Sequence, residues 1–128
     1  MSSVTVSSTT ARFRQTITVG DLHLTADEPL AVGGDGTGPA PFDLILAGLG
    51  ACKAMTVKMY AERKGWPLTH VSVELAYQKV GDRYQMLAQL ALAGDLTDDQ
   101  RQRLLEIADR CPVHRLLTSE IEIQTSLI

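Results

Sequence analysis

The chain predicts an α+β domain. Two stretches alternate apolar with polar residues around a Gly-Asp pair, a long apolar segment ends in a complete helix-stop signal, and an amphipathic segment opens on a capping box. Residues 2–10 are mostly Ser and Thr without a periodic apolar face and read as a frayed terminus or an irregular first strand. From Phe13 to Leu24 the spacing of Phe13, Ile17 and Val19, then Gly20-Asp21, then Leu22 and Leu24, predicts an N-terminal hairpin. Gly33 to Pro39 continues neither helix nor strand, because its glycines and proline favour bends. That stretch is a loop.

Pro41 or Phe42 then opens a long helix, with Asp43 in the first turn favoured by the positive end of the macrodipole. Arg63, Lys64, Gly65 and Pro67 close it. From Leu44 to Ala54 this helix is apolar nearly all round apart from Lys53, so it requires cover on several sides: either as the central helix of the domain or across a subunit interface. Val71, Val73, Leu75 and Tyr77, a Gly81-Asp82 turn, and Tyr84, Met86, Ala88, Leu90 and Leu92 predict a second hairpin. Thr97-Asp98-Asp99-Gln100 fits a capping box leading into a helix with Leu104, Leu105, Ile107 and Ala108 as its apolar face. Ile121, Ile123 and Leu127 alternate with polar residues as an expected closing strand.

At 128 residues, with 45% hydrophobic and 21% charged side chains, the chain fits one domain over 1–128 with a core of its own. A net charge of −3 has the wrong sign to neutralise phosphates, so nucleic acid is not an expected partner. No apolar run approaches the roughly 20 residues of a bilayer span, and Met1-Ser2-Ser3-Val4 has neither a basic leader nor a hydrophobic signal core. A cytoplasmic protein without a membrane partner is expected. There thiols are kept reduced, and a pair of cysteines points to catalysis, redox sensing or metal binding rather than a permanent staple.

The two cysteines sit in informative contexts. Cys52 lies in the small-residue run Gly48-Leu49-Gly50-Ala51-Cys52, where on composition alone it reads as a small buried hydrophobe. Cys111 precedes Pro112, which suits the first position of a helical turn; that makes Cys111 an N-cap whose sulfur faces free amides, or else a filler of the elbow after the Thr97 helix. Cys52, Cys111 and His114 with one further ligand would form a zinc or copper site, but Cys-x-x-His alone is a partial set, and His114 fits better as a packing or hydrogen-bonding neighbour of the Cys111 turn. No phosphate loop and no serine nucleophile elbow is present.

Gly38-Pro39-Ala40-Pro41-Phe42-Asp43-Leu44, the run into Cys52, and Cys111-Pro112-Val113-His114 together resemble the OsmC/Ohr family of thiol-dependent hydroperoxide reductases. Ala26-Asp27-Glu28-Pro29, Arg63-Lys64-Gly65-Trp66-Pro67 and Leu117-Thr118-Ser119-Glu120-Ile121 resemble its OsmC-like branch, so the likeness covers nearly the whole chain. The resemblance implies an intertwined homodimer, with the long helices of both subunits packed between antiparallel sheets. It also implies that Cys52 attacks the peroxide and leaves as sulfenic acid, that Cys111 resolves it to a disulfide, and that an external thiol then reduces the disulfide. No metal or organic cofactor is implied. The organic-hydroperoxide branch carries a Glu ten residues before the reactive cysteine, where this chain has Phe42; Asp43, nine before, faces away from Cys52 on a regular helix and reads as a helix-start acid. That branch also uses an N-terminal arginine to hold the thiolate, and Arg14 takes that place here, with Arg12 the other candidate.

Overall fold

The computed structural model describes residues 2–128. They form two compact units, the first ending at Ile45 and the second running Leu46–Ile128. The mixed α+β class is borne out by one antiparallel sheet in each unit together with the helices.

In the first unit β1 (Thr5–Ser8), β2 (Gln15–Val19) and β3 (Leu22–Ala26) form a meander in the order β1-β2-β3. The β2–β3 register pairs Val19 with Leu22, so Gly20 and Asp21 are the whole turn, and Gly20 takes the positive φ of 58° that such a turn demands. After β3, the Asp27 carboxylate accepts hydrogen bonds from the Thr37 hydroxyl at 2.6 Å, the Thr37 amide and the Glu28 amide, which hold the glycine loop and keep this acid below the usual carboxylate range. A single 3-10 turn at Leu30–Val32, absent from the sequence expectation, leads into that loop, with Gly33 as its cap.

Helix α1 (Pro41–Lys64) begins and ends where its signals lie. The Ala40 amide donates to the Asp43 carboxylate at 3.1 Å, so Asp43 is a helix-start acid. At the other end the Trp66 amide donates to the Ala61 carbonyl and the Gly65 amide to that of Glu62, a Schellman motif with Gly65 at φ 69°. By length and composition alone α1 could cross a membrane, with a mean hydropathy of 1.3 over its most apolar window, which corrects the expectation that no apolar segment reaches that length. The expectation looked for an unbroken run, and Lys53 and Lys58 break this one.

The second unit places α1's buried stripe, Leu49, Gly50, Lys53, Val57 and Ala61, at three- to four-residue spacing. Strands β4 (Leu68–Val80) and β5 (Arg83–Gly94) form a long hairpin around Gly81 and Asp82. The packing is close where α1 crosses β4: a Cβ on Gly50 would lie 2.6 Å from Leu75 Cδ1. Helix α2 (Asp98–Ala108) starts on both hydrogen bonds of the predicted capping box, and Arg101 ties it to the β5 carbonyls of Leu92 and Gly94. Val57, Ala61, Leu104 and Ala108 form the core, flanked by Tyr60, Trp66 and Leu90. Burying a side chain such as Val57 completely stabilises by roughly 1.5–3 kcal/mol.

Two expectations change. Leu105, assigned to the apolar face of α2, is exposed, because the buried stripe consists of Leu104, Ile107 and Ala108. After the short α3 (Pro112–Leu117), the expected closing strand over Ile121–Leu127 is not formed, and Ile123 is 82% exposed. Alternation supplies a strand with a face, but a strand also needs a partner edge, and among the described residues 119–128 pair with neither sheet. Within Leu44–Ala54 the single chain leaves Ile45 exposed, and further along α1 Met55 and Met59 are exposed as well.

Candidate functional site

The two cysteines, 59 positions apart (111 − 52), are brought together within the second unit. Cys52 lies mid-way along α1 and is half-buried; Cys111 caps α3 and is completely buried. Both thiols are free, and they are close enough to act on each other. The Cys111 cap forms as the sequence predicts: Pro112 opens the turn with a fixed φ, and the His114 amide donates to Cys111 Sγ at 3.3 Å. Burial pushes the Cys111 thiol up and the neighbouring Cys52 adds to this, whereas the His114 amide and the Lys53 ammonium pull it back down. The balance keeps Cys111 protonated.

Beside this pair lies a polar cluster that sequence reasoning did not assign. Lys53, 3% exposed, donates to the Ala108 carbonyl at 3.1 Å, to Asp109 Oδ1 at 3.2 Å and to His114 Nδ1 at 2.9 Å. An ammonium has three protons and no acceptor, so each bond uses one and His114 Nδ1 must accept, which assigns the ring proton to Nε2. His114 thus neighbours the Cys111 turn as expected and also holds the lysine. One signal could have revealed Lys53: it is the lone charge in the otherwise apolar segment Leu44–Ala54. Asp109 gave no such signal.

A cavity of about 410 Å³ opens next to this cluster, with Leu49, Met86 and Leu117 among its apolar walls and Lys53, Asp109 and His114 at its polar end. Among the described residues no three His, Cys, Asp or Glu side chains gather as a metal-ligand set, so Cys52, Cys111 and His114 do not assemble the metal alternative. Arg14 belongs to the first unit, in the stretch before β2, where its carbonyl accepts from the Thr9 hydroxyl at 3.0 Å. Arg12, in the same unit, lies over the Phe13 ring at 4.9 Å.

Residues 34–126 match the family model described as OsmC-like protein. No curated protein matches the chain. Among solved structures, the fold is similar to an OsmC-like protein from Mycoplasma pneumoniae, with a TM-score of 0.76 at 16% identity over 91% of this chain and 86% of that one. It is similar to an organic hydroperoxide resistance protein from Legionella pneumophila, with a TM-score of 0.67 at 20% identity over 92% and 89%. The organic hydroperoxide resistance protein OhrB of Bacillus subtilis gives 0.63 at 22% identity over 92% and 90%. At these identities the likeness is one of fold.

Proposed function

Because the chain belongs to the family of OsmC-like proteins, we propose that it reduces organic hydroperoxides to alcohols through Cys52 and Cys111. The observation that carries this reading is the pair of free, adjacent thiols in unlike surroundings. Cys52 is less buried than Cys111, which favours its sulfur as the one that attacks the peroxide oxygen: an S–O bond forms, the O–O bond breaks, and the alkoxide leaves as alcohol with a proton, giving Cys52 sulfenic acid. Cys111, buried and protonated at rest, does not compete for the peroxide. It then attacks the sulfenic sulfur, the S–O bond breaks, and hydroxide departs with the thiol proton as water. An external thiol reduces the resulting disulfide.

In this reading Arg14 holds the Cys52 thiolate, the protein works in the cytoplasm, and the active form is an intertwined homodimer. The apolar surface left exposed on α1 at Met55 and Met59, and the unpaired residues 119–128, support assembly. A non-catalytic module that binds a small apolar ligand or senses redox state through its cysteines is the second reading, its ligand-binding form favoured by the cavity with its apolar walls.

Intact mass after one equivalent of cumene hydroperoxide separates the two. The enzyme loses two hydrogens as a disulfide forms; Cys111→Ser still consumes the peroxide and accumulates sulfenic acid on Cys52, and Cys52→Ser reacts negligibly. An unchanged mass in the wild type selects the binding module.

A further inference from the structure

We propose that Lys53 is a positioning residue for the resolving thiol: its ammonium clamps the α2–α3 elbow over α1 and supplies the positive charge against which Cys111 gives up its proton. The inference deepens the dithiol reading above and rests on it for its catalytic meaning. Cys111 sits in the elbow between Asp109 and His114. Lys53 follows Cys52 directly on α1, and its three protons go to Ala108 and Asp109 on one side of Cys111 and to His114 on the other. One buried cation therefore joins the segment that carries the attacking thiol to the helix that carries the sulfenic sulfur.

An ammonium is costly to bury unless it is paired, and every partner Lys53 has lies on that elbow. Its charge has a chemical use as well. In the resolving step Cys111 must lose a proton before its electron pair can displace hydroxide from Cys52 sulfenic acid, and burial opposes that loss. Among the described residues, Cys52 and Lys53 from α1 and the His114 amide from α3 act on Cys111, and Lys53 is the cation of that set. The Asp109 carboxylate at the end of α2 opposes it, tempering the charge of the lysine it holds.

The test uses the full chain in a Cys52→Ser background, where Cys111 is the one remaining thiol and its thiolate is followed by ultraviolet absorbance against pH. Lys53→Met should raise the midpoint by about one unit, a tenfold loss of thiolate below it, while Lys53→Arg, which keeps the charge at every pH, should leave it near the starting value. Asp109→Asn, which keeps an oxygen to accept from Lys53 while removing the negative charge, should move the midpoint down. With Cys52 restored, Lys53→Met should slow conversion of sulfenic acid to disulfide about tenfold near pH 7. An unmoved midpoint in Lys53→Met, an equal rise in Lys53→Arg, or an upward or absent shift in Asp109→Asn would overturn the proposal and reduce Lys53 to packing. If the midpoints move as expected but wild type forms no disulfide with cumene hydroperoxide, the peroxidase reading fails and the clamp stands. If the disulfide forms and the midpoints stay, the reverse holds.

Discussion

Oxidation of the Cys52–Cys111 pair should make the protein substantially harder to unfold. The cysteines are 59 positions apart (111 − 52), and in the chain-entropy description closing a loop of that size removes enough freedom from the unfolded chain to stabilise by about 4 kcal/mol at 25 °C. Native strain subtracts from that figure, by less the closer the two neighbouring thiols already lie to disulfide geometry. For a chain of this length 1 kcal/mol corresponds to roughly 4 °C, giving a rise in Tm of about 15 °C on oxidation. The assay is urea and thermal unfolding of reduced and peroxide-treated protein at one protein concentration, since an assembly's midpoint depends on concentration. Cys111→Ser is the control: its hydroxyl can still accept from the His114 amide and preserve the cap, but peroxide treatment should produce no comparable rise. An oxidised wild type that unfolds at the same or lower urea than the reduced one would show that the cross-link is not accommodated by this geometry.

Sedimentation at micromolar concentration should give about 28 kDa, twice the 13.9 kDa of one chain, and a well-folded monomer would reject the intertwined assembly. Arg14→Met should slow peroxide reduction at pH 7 more than Arg12→Met does; equal effects would remove the arginine part of the mechanism from this chain. The Asp27 carboxylate is depressed by its Thr37 and Glu28 hydrogen bonds, so its contribution to stability is present above its unfolded value near 4 and is lost as pH falls through the lower folded value. Asp27→Asn should therefore flatten the acid limb of stability measured by urea midpoint against pH, and an unchanged slope would contradict the assignment. Gly48→Ala, with open space where its Cβ would lie, should stabilise by up to about 1 kcal/mol through helix propensity, whereas Gly50→Ala should lose that gain against Leu75; thermal melts of the pair decide, and equal stabilisation would refute the close approach.

Features that depend on near neighbours along the chain were legible from the residues alone. The Gly20-Asp21 and Gly81-Asp82 turns, the limits of α1, the Thr97 capping box and the Cys111 cap each arise from a few consecutive residues whose backbone demands can be satisfied only one way. The family blocks were legible for the same reason. What the tertiary structure decided is what covers each face: Leu105 and Leu104 carry the same side chain one position apart, yet one is exposed and the other buried, because the core of Val57 and Ala61 lies on a single side of α2. The closing strand failed likewise, since alternation names a face without naming a partner edge. Lys53 shows the separation most clearly. Locally it is a charge that interrupts an apolar helix; only when α2 and α3 bring Ala108, Asp109 and His114 against it do three acceptors converge on its three protons and make burial of the ammonium possible.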